Sequence, residues 1–283
     1  MTAQIVWLEG RVDAGDVGAR AAALAALRGE GMAVPRGFAL GRKVHLRLTS
    51  HGLDRWLDAG KLPPDLHREV SDALVTLGGS FAVRRSPLDG TRERTWPSAR
   101  GGRPERETYL HLTDISEVVE AVRRIWGTGG PMVPTRAPVA IVVQRFVLPE
   151  ACAIASCQDD RDILNVMAAL GVGDLLAAGL VVPDRHMVRR ADGGVVTSWL
   201  GRKAQMTIAR EGGGVVRVPV PASAARRLAL ADERLADLAA VFREAERILG
   251  PLETLKAAWS GGRWYITSVD AAPAAAEDDL MLG

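Results

Sequence analysis

Two runs near the C-terminus, Leu255-Lys256-Ala257-Ala258-Trp259-Ser260 and Trp264-Tyr265-Ile266-Thr267-Ser268-Val269-Asp270, flank the turn Gly261-Gly262-Arg263. Strand-forming residues on both sides of a double glycine commit this stretch to an antiparallel hairpin, because few other residues tolerate the left-handed backbone of so tight a turn. A three-residue turn sets Lys256 opposite Ser268, with Asp270 diagonal to Lys256 on the same face. A lysine side chain spans the roughly 7–8 Å between diagonal neighbours, so Lys256 and Asp270 are expected to approach each other. Glu253 lies three residues before Lys256 and points to the opposite face of a regular strand.

Other segments alternate helix and strand. Gly18 to Gly31 carries alanine and leucine at helical spacing and exits through Gly31-Met32-Ala33-Val34-Pro35. Pro64 to Leu77 is a second helix, with Pro64 suited to its first turn. Ser80 to Val83 and the β-branched run Val139 to Val147 read as buried strands, with a helix over Ser116 to Trp126 between them. The longest amphipathic helix covers Leu228 to Leu249, and Gly250-Pro251 stops it. Arg92 to Arg106, with five arginines, glycine and proline, reads as a mobile loop, and the residues from Ala271 on as an acidic tail.

Composition narrows the class. A chain of 283 residues, 47% hydrophobic and 25% charged, can bury a sizeable core in one large or two smaller domains. No apolar run reaches the roughly 18 residues of a membrane span, and the first residues lack the order of a signal peptide. A cytoplasmic location follows as the expectation. Lysine plus arginine (36) barely exceed aspartate plus glutamate (34) and are scattered, which argues against nucleic acid as the main partner. Cys152 and Cys157 lack zinc-like spacing and read as free thiols. His111 and His186 read as structural histidines.

In this order the segments resemble the N-terminal nucleotide-binding part of phosphoenolpyruvate synthase, pyruvate phosphate dikinase and rifampin phosphotransferase, from about Val17 to Asp270. Phe81-Ala82-Val83-Arg84-Arg85-Ser86 is similar to the family's Ala-Val-Arg-Ser-Ser strand end, and Glu107-Thr108-Tyr109-Leu110 to the strand after its phosphate loop. Val142-Val143-Gln144-Arg145-Phe146-Val147 resembles its adenine-lining hinge. Gly171-Val172-Gly173-Asp174 with Gly179 and Pro183-Asp184 resembles its Gly-Leu-Gly-Glu…Gly…Pro-Asp run, and Gly201-Arg202-Lys203 its Gly-Ser-Lys. The resemblance implies an α/β (α+β) fold, two-lobed and ATP-grasp-like with mixed sheets. Its lobes are expected over residues 1–135 and 136–271, with the tail over 272–283. It further implies ATP as ligand, with Arg20, Arg84, Gln144, Arg145, Phe146, Val147 and Lys203 as nucleotide contacts.

The departures are specific. Arg20 stands in place of a phosphate-binding lysine, which leaves open a phosphate contact or a solvated helix residue. Arg85 replaces a small hydroxyl residue. Ser98-Ala99-Arg100-Gly101-Gly102-Arg103-Pro104 stands where the family has Ser-Phe-Ala-Gly-Gln. Lys256, Ser268 and Asp270 stand where it has glutamate, glutamine and arginine, so a metal and phosphate site is rewritten and Mg2+ binding is doubtful. One expectation is therefore a non-catalytic, nucleotide-binding subunit or regulator. A second is the ATP-dependent part of a split phosphotransferase, whose phosphohistidine and phosphoenolpyruvate-utilising domains sit on a separate chain. A third is a binding module for another small anion.

Overall fold

A computed structural model describes residues 5–50, 61–88, 108–127, 139–157 and 162–272. The loop expected over Arg92 to Arg106 and the acidic tail beyond Ala272 lie outside the described residues, while Ala271, expected to begin that tail, closes the last strand.

Two antiparallel sheets organise the chain. The first has strand order β1-β2-β5-β3-β4, built from Ile5–Trp7, Gly37–Leu40, Val139–Arg145, Phe81–Pro87 and Thr108–Leu112. The second runs β13-β12-β6-β7-β8-β9, from Arg263–Ala271, Leu252–Ser260, Ala151–Ser156, Ile163–Leu170, Asp184–Arg189 and Val195–Trp199. A two-stranded ribbon, β10 (Gln205–Ala209) with β11 (Val215–Pro219), stands apart. Parallel pairing, expected as part of mixed sheets, occurs among the described residues as the isolated bridge between Gly171 and Thr207. Because β5 pairs with β2 and β3, the chain leaves the first sheet only after Arg145, later than the lobe boundary expected near residue 135.

The helices are α1 (Ala14–Val17), α2 (Ala19–Gly29), α3 (Arg42–Ser50), α4 (Pro64–Leu77), α5 (Ile115–Gly127), α6 (Asp174–Ala177), α7 (Ala222–Ala225) and α8 (Asp232–Leu249). Proline at the start of α4 gives up an amide that has no partner in a first turn, and Gly250, at φ +83°, ends α8. Among the described residues no helix is long and apolar enough to cross a membrane.

The continuous apolar run of β5 is explained by cover on both faces. Val139, Ile141 and Val143 enter a core with Phe38, Leu66 and Val122, while Val142 enters a second, smaller core with Leu8, Val17 and Ala25. A third core lies between the second sheet and α8, where Leu238 and Phe242 meet Leu164, Leu255 and Ile266. Leu24 and Leu27 of α2 join that third core while Ala21 and Ala25 face the small one, so α2 bridges the two sheets.

The C-terminal hairpin pairs Lys256 with Ser268, by a different route from the expected one. Its turn has two residues, Gly261 and Gly262 at φ +56° and +78°, which sets Ser260 opposite Arg263. A bulge then inserts Thr267 between the pairs Ala257–Ile266 and Lys256–Ser268. The extra residue in the bulge replaces the extra residue assumed for the turn.

Candidate functional site

A cavity of about 510 Å³ lies between the sheets, lined from both. From the first come Ala82, Arg84 and Arg85 of β3, and Gln144 to Val147 where β5 ends. From the second come Cys152 and Ile154 of β6, Lys256 and Ala258 of β12, and Thr267 with Ser268 of β13. Strand alternation would send Thr267 and Ser268 to opposite faces. The bulge turns both toward the cavity while Ile266 and Val269 on either side stay in the core.

Hydrogen bonds stitch the sheets together around this space. Arg84 reaches across from β3, its Nη1 donating to the Thr267 carbonyl at 3.0 Å. The Thr267 hydroxyl donates to the Lys256 carbonyl at 3.2 Å. Beside it the Ser268 hydroxyl is buried, 3% exposed, and makes no hydrogen bond. At the other wall the Gln144 side chain donates to the Pro35 carbonyl, and the Phe146 amide donates to the Ser80 carbonyl at 2.7 Å. This last bond turns the chain out of β5, so the strand expected to reach Val147 ends at Arg145. The Phe146 ring packs on His111, centroids 5.2 Å apart. Cys152 is enclosed, and burial pushes its thiol up to about 12, leaving it neutral.

Eight of the expected residues meet here: Arg20, Arg84, Gln144, Arg145, Phe146, Val147, Lys256 and Ser268 all line the cavity. Two do not. Asp270 lies outside the lining and is held by Arg20, whose Nη2 donates to Oδ1 at 3.0 Å, and by the Thr254 hydroxyl at 2.9 Å on Oδ2. The carboxylate expected to meet Lys256 is thus held by Arg20 and Thr254. The helix α2, packed against β13, brings the Arg20 guanidinium to this carboxylate.

Lys203 also lies elsewhere, fully buried in an ion pair with Asp184. The same carboxylate accepts the Gly201 amide at 2.8 Å and the Ala229 amide at 2.6 Å. The Pro183-Asp184 and Gly201-Arg202-Lys203 segments thus close on each other, so the ammonium expected at a phosphate is committed to a carboxylate. Thr267, a lining residue with no sequence signal of its own, is brought in by the bulge alone. Among the described residues, no group of three histidine, cysteine, aspartate or glutamate side chains is placed to hold a metal ion.

Residues 133–255 match the family model described as the pyruvate phosphate dikinase AMP/ATP-binding domain. A rifampicin phosphotransferase from Streptomyces sp is 29% identical over 222 residues, 72% of this chain and 25% of that protein. The rifampicin phosphotransferase of Bacillus subtilis is 24% identical, with the same 72% and 25% covered. A probable phosphoenolpyruvate synthase of Archaeoglobus fulgidus is 27% identical over 57% of this chain and 23% of its own length. The chain spans about a quarter of the length of the curated relatives it matches.

Proposed function

From its resemblance to the pyruvate phosphate dikinase AMP/ATP-binding domain, we propose that this chain is a nucleotide-binding domain that does not itself transfer phosphate and acts as a subunit or regulator. The observation that carries the reading is the Lys256–Ser268 pair, an ammonium opposite a buried hydroxyl on the cavity wall. A magnesium ion requires hard oxygen ligands in octahedral geometry, and an ammonium at the same place repels it. These residues do not fit a divalent metal at that pair.

In this reading the base lies against the segment Gln144 to Val147, with Phe146 and Ile154 supplying apolar surface, and the phosphates lie toward Arg84 and Lys256. Arg84 holds its guanidinium across the gap between the sheets, so a bound anion would tie the two together. The test is a pair of measurements, melting with ATP and phosphate release from magnesium-ATP. A ligand at 100 times its dissociation constant adds about 2.7 kcal/mol, which a melting curve resolves. A rise in melting temperature without turnover is expected. Magnesium-dependent turnover by the chain alone would overturn the non-catalytic reading, and the absence of any ATP-dependent shift would overturn nucleotide binding.

A second reading is favoured by the length of the relatives, of which this chain matches about a quarter. In it the domain works with phosphohistidine and phosphoenolpyruvate-utilising domains, on a separate chain or a continuation of this one. Supplying those domains with ATP and observing a phosphorylated histidine would support it over the first.

A further inference from the structure

Two buried polar atoms of cavity-lining residues make no hydrogen bond, Oδ1 of Asp174 in the short helix α6 and the Ser268 hydroxyl in β13. Ser268 is 3% exposed. A buried polar atom in a native protein nearly always has a partner, so each calls for one from the molecule that fills the space. The two differ in what they select. A hydroxyl donates or accepts and takes either kind of partner, whereas an ionised carboxylate oxygen only accepts. Oδ1 of Asp174 therefore calls for an O–H or N–H group, which a fully ionised inorganic polyphosphate does not carry.

Cys152 locates this carboxylate along the wall. The backbone at Gly173 runs so close to β6 that an added Cβ would stand 3.2 Å from the Cys152 Cβ. Burial chiefly, with the Asp174 charge adding to it, pushes the Cys152 thiol up, so the carboxylate neighbours that side chain. Cys152 pairs with Ala258 of β12. Ala258 lies between Lys256 and Trp259, whose carbonyl accepts the Glu150 amide shortly after the Gln144 to Val147 segment.

We infer that Asp174 reads the sugar of the bound nucleotide, accepting a hydrogen bond from a ribose hydroxyl and so selecting ribonucleotides over deoxyribonucleotides. The inference rests on the nucleotide reading above, in which the base lies against Gln144 to Val147 and the phosphates toward Lys256. A nucleotide laid in that direction brings its sugar past Cys152, the residue that Asp174 neighbours. An analogue without the hydroxyl occupies the same space but leaves a buried carboxylate oxygen unpaired, and that penalty is the basis of selection.

The experiment is calorimetric titration of the full chain with ATP, 2′-deoxy-ATP and 3′-deoxy-ATP, repeated on Asp174→Ala and Asp174→Asn. The parent is expected to bind at least one of the deoxy analogues about tenfold or more weakly than ATP. In Asp174→Ala, with no acceptor left to tell them apart, the three nucleotides should bind within about twofold of one another. Asp174→Asn keeps a carbonyl acceptor and should retain part of the preference. Melting curves establish that the variants are folded, and if the alanine variant is not, the parent and Asp174→Asn decide. Equal binding of the three nucleotides by the parent would overturn the inference and leave the nucleotide reading standing. An undiminished preference for ATP in folded Asp174→Ala would do the same. Binding of none of the three by the parent would remove the nucleotide reading and this inference with it.

Discussion

Asp184 and Lys203 give up water on both sides of their ion pair, and the aspartate offsets part of that cost with two further hydrogen bonds from the Gly201 and Ala229 amides. Removing only the lysine leaves a buried carboxylate without its counter-charge. Lys203→Met is therefore expected to cost about 3–5 kcal/mol, measured by urea unfolding. The double variant Lys203→Met with Asp184→Asn should recover a large part of that loss, since no charge then remains buried. Nearby, His186 places Nδ1 2.8 Å from the Ser198 hydroxyl, while its Nε2 is buried without a hydrogen bond. Burial pushes the imidazole below its ordinary value, with the Lys203 charge adding to the effect and the Asp184 and Asp232 carboxylates opposing it. The folded protein then binds a proton at His186 less readily than the unfolded chain does. Its contribution to stability is full above the unfolded value, about 6.5, and is lost as pH falls through the lower folded value. Urea midpoints compared between about pH 7 and pH 5 should fall less in His186→Gln than in the parent. An equal fall in both would show that the histidine is not the titrating group.

At the scale of elements, the C-terminal hairpin depends on two glycines with left-handed backbone and open space around the position of an added side chain. Substitution there is governed by backbone conformation alone. Gly262→Ala should cost about 1–2 kcal/mol, whereas Gly261→Asn, which favours the same type of turn, should be within about 0.5 kcal/mol of the parent; thermal melting of the two variants tests the contrast. The bulge at Thr267 carries more functional weight than the turn, because it exposes two successive residues to the cavity. Its presence was not legible in the sequence. A one-residue slip in the turn and a one-residue bulge cancel, so the Lys256–Ser268 pair is predicted by either arrangement. Helices α4 and α8 were legible through their periodicity and their proline and glycine ends, since these are local effects.

Over the whole molecule, α2 joins what the two sheets separate. Leu24 and Leu27 pack with α8 and the second sheet, while Ala21 and Ala25 meet Val142 of the first. Arg20, from the same helix, is bonded to Asp270 of β13. Unfolding of one sheet therefore removes packing from the other. Urea unfolding followed by tryptophan fluorescence and by far-ultraviolet circular dichroism should give coincident transitions. Leu24→Ala should lower stability by about 2–5 kcal/mol and shift both signals together. Two separated transitions in the parent would refute this coupling.

The sequence by itself determined the features that depend on neighbours along the chain: the helix periods, the buried run of β5, the double-glycine turn and the order of motifs that resembles a nucleotide-binding domain. It also named part of the cavity wall, since Arg84, Gln144 to Val147, Lys256 and Ser268 lie in those motifs. Only the tertiary structure decided how the charges are partnered. Arg20 and Asp270 are distant in sequence but 3.0 Å apart in space, and Lys203 turns inward to Asp184 across a loop and two strands. Charge partners are fixed by which elements pack together, and a cation that looks the same in sequence can be buried against a carboxylate or left facing a cavity.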